Sequence, residues 1–148
     1  MGFEPVTATI RVSSGSLYDY VILGEHPRAT DGYDNAYDTV SPGNLNADMG
    51  QPYLSVVSVH PEWKIHKELR GDIRLPAAMQ TWTLAVTGSL KKGSALTLSR
   101  QREEHLPAGM KLTAREGKRQ HDIGQGDYTT TAPGPGMTKT IIITVQQP

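Results

Sequence analysis

The run Thr81-Trp82-Thr83-Leu84-Ala85-Val86-Thr87 constrains this chain more than any other stretch. Successive side chains of a strand point to opposite faces, so Trp82, Leu84 and Val86 share one face and Thr81, Thr83, Ala85 and Thr87 the other. The same period of two recurs along the chain. Val6, Ala8, Ile10 and Val12 alternate with polar residues over 6–12, and Leu17–Leu23 sets Tyr18, Tyr20 and Ile22 on one side, so the two runs predict a hairpin about Ser13–Ser16. Tyr53–His60 is rich in β-branched residues and is stopped by Pro61. Strands are expected at Glu68–Leu75, at Ala95–Ser99 with Leu96 and Leu98 inward, and where Met110, Leu112 and Ala114 alternate. His121–Ile123 and Tyr128–Thr131 are short candidates, and the β-branched run Thr138–Val145 predicts a closing strand buried on both faces.

Nine or ten short strands separated by turn residues, with no amphipathic helix of ordinary length, predict an all-β fold. The expected form is an antiparallel two-sheet β-sandwich, immunoglobulin-like or jelly-roll-like, with a closed barrel as the alternative. A length of 148 residues fits one domain, 1–148, with room for a core. Residues 41–52 hold Pro42, Gly43, Asn44, Asn46, Gly50 and Pro52 and are expected to be loop.

One segment breaks the strand pattern. Ala29-Thr30-Asp31-Gly32-Tyr33-Asp34-Asn35-Ala36-Tyr37-Asp38 predicts a short helical turn near residues 30–38. On it Asp31, Asp34 and Asp38 lie on one stripe, Tyr33 and Tyr37 on a neighbouring stripe suited to docking, and Thr30 or Asp31 at the cap. Three close carboxylates repel unless a cation or nearby donors neutralise them. The donors expected are arginines such as Arg74, or Arg70, together with backbone N–H groups. The expectation is no metal; if one binds, it is calcium on Asp31, Asp34 and Asp38, in a spacing unlike an EF-hand loop.

Other chemistry is thinly represented. His60 and His66 with Glu62 or Asp72 are the residue types of a transition-metal site, but their spacing matches no established motif. The absence of cysteine excludes disulfides, thiolate nucleophiles and zinc–thiolate sites. No Gly-x-Ser-x-Gly elbow and no phosphate-binding glycine loop occurs. The net charge of zero gives no general attraction to nucleic acid, although residues 1–60 carry seven acids and two bases and the remainder eight acids and thirteen bases. No apolar run reaches the roughly 20 residues of a membrane span. Residues 1–15 lack the basic start and apolar core of a signal peptide, so an exported form is expected to have lost its signal or to carry it upstream.

The Ala29-Thr30-Asp31-Gly32-Tyr33-Asp34-x-x-Tyr37-Asp38 block is followed by Pro61-x-Trp63, Asp72-Ile73-Arg74, Trp82-x-Leu84-x-Val86, Gly93-x-x-Leu96-x-Leu98 and Leu106-Pro107. In that order, from about Gly24 to Val145, the chain resembles a β-sandwich accessory domain found near the C-termini of secreted and cell-surface bacterial proteins. The resemblance implies a non-catalytic extracellular or cell-surface domain, not an enzyme, that attaches to or assembles with another protein or a neighbouring domain of a longer chain. The alternative is a carbohydrate-binding module that stacks polysaccharide on exposed aromatics. Tyr33, Tyr37 and Trp63 are the candidate binding residues, Tyr53 is a further member of such a platform, and Trp82 is assigned to the core.

Overall fold

A computed structural model describes residues 5–34, 36–100 and 108–147. Strand accounts for 53% of the described residues and helix for 3%, so the fold is all-β. The strands are β1 (Val6–Ser14), β2 (Leu17–Glu25), β3 (Thr39–Val40), β4 (Leu54–Val59), β5 (Glu68–Arg74), β6 (Met79–Gly88), β7 (Ala95–Arg100), β8 (Lys111–Glu116), β9 (Arg119–Asp122), β10 (Tyr128–Thr131) and β11 (Lys139–Gln146). One four-residue helix, α1 (Leu45–Asp48), lies between β3 and β4.

β1 and β2 form the expected hairpin, with Ser14 opposite Leu17. Gly15, at φ +58°, supplies the backbone sign that a two-residue hairpin turn requires. The strands join in a single ladder in the order β10-β7-β1-β2-β5-β4-β6-β11-β8-β9, with β3 added to β5. This mixed sheet curls into a near-closed barrel. It departs from the antiparallel expectation where β2 and β5 pair in parallel, Ile22 opposite Gly71 through Glu25 opposite Arg74. Gly24 sits tightly between both neighbours, because a Cβ there would lie 2.3 Å from the Val6 carbonyl oxygen of β1 and 3.0 Å from the Ile73 side chain of β5.

β5 bridges two groups of strands. Its later residues pair with β2, and its start pairs with Ser58 and Val59 at the end of β4. Below it β2 and β4 share no ladder, and the Asp19 carboxylate spans them: Val56 N–H donates to Oδ2 at 2.9 Å and Arg70 Nη2 to Oδ1 at 2.9 Å. Side chains also cross between the two ends of the ladder. Glu116 on β8 accepts hydrogen bonds from Tyr128 and Thr130 on β10 and from Lys139 on β11.

The inward rows are those the alternation predicts: Ile10, Val12, Trp82, Leu84, Val86, Leu96, Leu98 and Leu112 are fully buried, and so are Ile141 and Ile143 of β11. Burying such side chains contributes about 1.5–3 kcal/mol each and is the main term holding the barrel together. On β2 the inward row is Asp19, Val21 and Leu23, so Tyr18, Tyr20 and Ile22 face outward.

Two local expectations are corrected. β11 is buried on one face only; its outward row is exposed or half-buried. The helix lies inside the segment expected to be loop, where the Asn44 side chain accepts from Ala47 N–H and donates to the Leu54 carbonyl oxygen. An Asn cap satisfying an orphan N–H is enough to start one turn.

Candidate functional site

The acidic segment is not helical. Residues 29–34 and 36–38 run as bends and turns, with a single helix-like turn in which the Asp34 carbonyl oxygen accepts from the Tyr37 N–H at 3.0 Å and the Asp38 N–H at 2.7 Å. The reason is local competition, since Asp side chains offer the backbone alternative acceptors. Asp34 Oδ1 takes the Ala36 N–H, Asp38 Oδ2 takes the Asp34 N–H, and Asp38 Oδ1 takes the Ile73 N–H of β5. Asp31 Oδ1 takes the Leu75 N–H. Each carboxylate therefore has its own amide donors, and the stripe of three does not form. Among the described residues no group of three or more His, Asp or Glu side chains is placed to hold a metal ion. Asp38 is buried, which pushes its carboxyl above the usual range, opposed by the Ile73 and Asp34 N–H groups.

Tyr33 and Tyr37 do not share a face either. Tyr37 stacks on His26 with ring centroids 4.8 Å apart, and Tyr33 stacks on His66 at 4.3 Å. Trp63 stacks on His60 at 3.8 Å and 10°. Each candidate binding ring is half-buried and has one face covered by an imidazole. His66 reaches its place with φ +53°, the one non-glycine positive φ among the described residues. Holding a side chain there costs on the order of 1 kcal/mol.

The polar centre lies elsewhere, around Asp72. Asp72 is 1% exposed, on β5, and its carboxylate receives Arg74 bidentately, Nε at 3.2 Å and Nη2 at 3.1 Å. Ser58 Oγ donates to Asp72 Oδ2 at 2.7 Å, and His60 Nε2 lies 2.6 Å from the same oxygen. The other ring nitrogen of His60 lies 3.1 Å from Glu62 Oε1. Burial alone would raise the Asp72 pKa, but Arg74, Ser58 and His60 outweigh it and hold the carboxyl below its usual value. Arg74 thus pairs with Asp72, not with Asp34 or Asp38, and Arg70 pairs with Asp19. His60, Glu62 and Asp72 do meet, while His66 stands apart on Tyr33, so the histidine pair does not converge as metal ligands would. The Ser58 hydroxyl therefore meets a carboxylate and not an imidazole, an arrangement different from a serine–histidine pair.

Above this network opens a cleft of about 420 Å³, lined by Asp31, His60, Glu62, Arg74, Thr81 and Thr83 among others. Its floor continues onto the outer face of β4, β6 and β11. On β6 that face carries Met79, Thr81, Thr83, Ala85 and Thr87, all exposed or half-buried. Register sets Thr140 opposite Ala85, Ile142 opposite Thr83 and Thr144 opposite Thr81. The outward row of β4 is Ser55 and Val59, both half-buried, with Val57 between them buried. Three adjacent strands therefore present no charged side chain outward, in a chain in which 20% of residues are charged. The alternation made the threonine row legible; its place beside two further uncharged rows was not, because strand order is set by long-range pairing.

No family model, curated protein or solved structure matches this chain. Among the described residues no helix is long and apolar enough to cross a membrane.

Proposed function

We propose that this chain is a non-catalytic accessory module of the bacterial cell surface or exterior that attaches to or assembles with another protein through the outer face of β4, β6 and β11. The observation that carries this reading is the absence of charge from that face, the compositional mark of an interface centre against a solvated surface. The outer faces of these three neighbouring strands lie side by side on the barrel's exterior. The sequence resemblance to secreted and cell-surface modules supports the location.

A second reading, polysaccharide binding, is favoured by the cleft, where the Thr81 and Thr83 hydroxyls sit beside the Asp31 and Glu62 carboxylates. Tyr33, Tyr37 and Trp63 would each contribute at most one open ring face to it.

The test is a photo-crosslinking residue at Thr83, with Lys118 in the β8–β9 turn as control, in cells that express the chain. A discrete protein adduct from Thr83 and none from Lys118 is expected. Absence of an adduct, together with retardation of the chain in a polysaccharide gel that Thr81→Ala/Thr83→Ala abolishes, would replace the first reading with the second.

A further inference from the structure

The rim of the uncharged face carries opposite charges on opposite sides. Beyond β4, at the level of Thr81 and Thr83, stand Asp31 and Glu62, both exposed. On the far side is β8, with Lys111 and Arg115 pointing outward and exposed. Register puts them at the same height: Arg115 is opposite Ile142, which is opposite Thr83, and Lys111 is opposite Gln146, which is opposite Met79. Of the acids on the β8 side, Glu116 is engaged by Tyr128, Thr130 and Lys139, and Asp122 is one strand further out, opposite Thr113, with Oδ1 taking the Gly124 N–H.

We propose that this face is an isologous interface at which a second copy of the chain packs sheet against sheet, about a two-fold axis running along the strands between β6 and β11. The inference rests on the attachment reading and names the partner. An uncharged centre is complementary to itself, which is what a two-fold interface demands. An axis along the strands preserves height and exchanges sides, so Lys111 and Arg115 of one copy lie over Glu62 and Asp31 of the other. An axis across the strands would set the basic side of each copy over its own like.

The size is adequate for a weak, specific dimer. The three uncharged strands, about 4.8 Å apart and about eight residues long, cover roughly 380 Å² in plan, and the β8 rim brings this to roughly 500 Å² before side-chain relief is added. The smallest specific interfaces bury about 600 Å² per partner. Met79 and Ile142, exposed and half-buried in the free chain, lie within the covered area.

Sedimentation velocity on the purified chain, from about 1 μM to about 1 mM, tests the proposal, a range spanning the affinities of weak interfaces. The expected result is a concentration-dependent approach to twice the chain mass. Thr83→Arg points outward, so it should keep the parent's melting temperature while weakening self-association about tenfold or more. Lys111→Glu/Arg115→Glu should weaken it as well, and so should Glu62→Lys. Mixing those two variants should restore a dimer, because each then meets its opposite. A parent that sediments as a single chain throughout overturns the proposal, and so does a dimer indifferent to Thr83→Arg. A single-chain result combined with a Thr83 adduct to a different protein would remove the dimer and leave the attachment reading standing.

Discussion

Trp82 is the largest fully buried side chain, and its indole N–H donates to the Asp72 carbonyl oxygen at 3.1 Å. The Arg74 guanidinium lies 5.2 Å from its ring. Trp82→Ala removes a core volume and an anchor of β5 together, and is expected to cost about 3–5 kcal/mol in a urea titration. A midpoint close to the parent's would place Trp82 outside the core. Asp72 adds a pH signature. A carboxyl lowered by folding contributes stability that is present above its unfolded pKa, about 3.9, and is lost as pH falls through the folded value. Glu25 and Asp38, both raised by burial, act the other way and contribute stability that fades as pH rises through their folded values. Asp72→Asn should therefore be less stable at neutral pH yet lose less on going from about pH 4 to about pH 2. Equal acid slopes in the two proteins would show that Asp72 titrates normally.

The segment through residue 38 works as a clasp between loop and sheet. Asp38 joins its own turn to β5 through the Asp34 and Ile73 N–H groups. Asp38→Ala leaves two donors in search of acceptors, at about 1–3 kcal/mol for each that stays buried. Tyr33→Ser loses one stacked pair on a half-buried ring, about 0.5–1.5 kcal/mol. Asp38→Ala should thus lower the melting temperature more than Tyr33→Ser, an order that reverses if the rings and not the carboxylate hold the segment. Because amides already satisfy the three carboxylates, millimolar calcium against chelator should leave the melting temperature where it is. A rise of several degrees that vanishes in Asp31→Asn/Asp34→Asn/Asp38→Asn would establish a calcium site.

Across the whole molecule, the division between β2 and β4 is where the barrel is held by a side chain in place of a ladder. Asp19→Ala orphans the Val56 N–H in the interior and leaves Arg70 without its anion. The expected cost is about 1–3 kcal/mol, with faster hydrogen exchange at Val56 than at Val57 relative to the parent. Unchanged exchange at Val56 would mean that the two strand groups do not depend on this bridge. The other crossing, at Glu116, joins the ends of the ladder. Burial would raise its pKa, but Lys139, Thr130 and Tyr128 overcome that and hold it lowered.

What the sequence determined by itself was the class of fold and the sorting of faces. A period of two is a local property, so Trp82, Leu84, Val86, Leu96 and Leu98 could be assigned inward, and the β1–β2 hairpin placed, without knowing any neighbour. The tertiary structure alone decided the parallel β2–β5 pairing, the partners of Asp31, Asp34 and Asp38, and the meeting of Ser58, His60, Asp72 and Arg74. These depend on contacts between residues such as Asp38 and Ile73, 35 positions apart, whose geometry no local spacing encodes. The helical turn expected near residues 30–38 failed for the same reason: spacing describes a helix only if the backbone N–H groups have no better acceptors, and here the Asp34 and Asp38 side chains are those acceptors, while Ile73 N–H of β5 donates to Asp38 and fixes it.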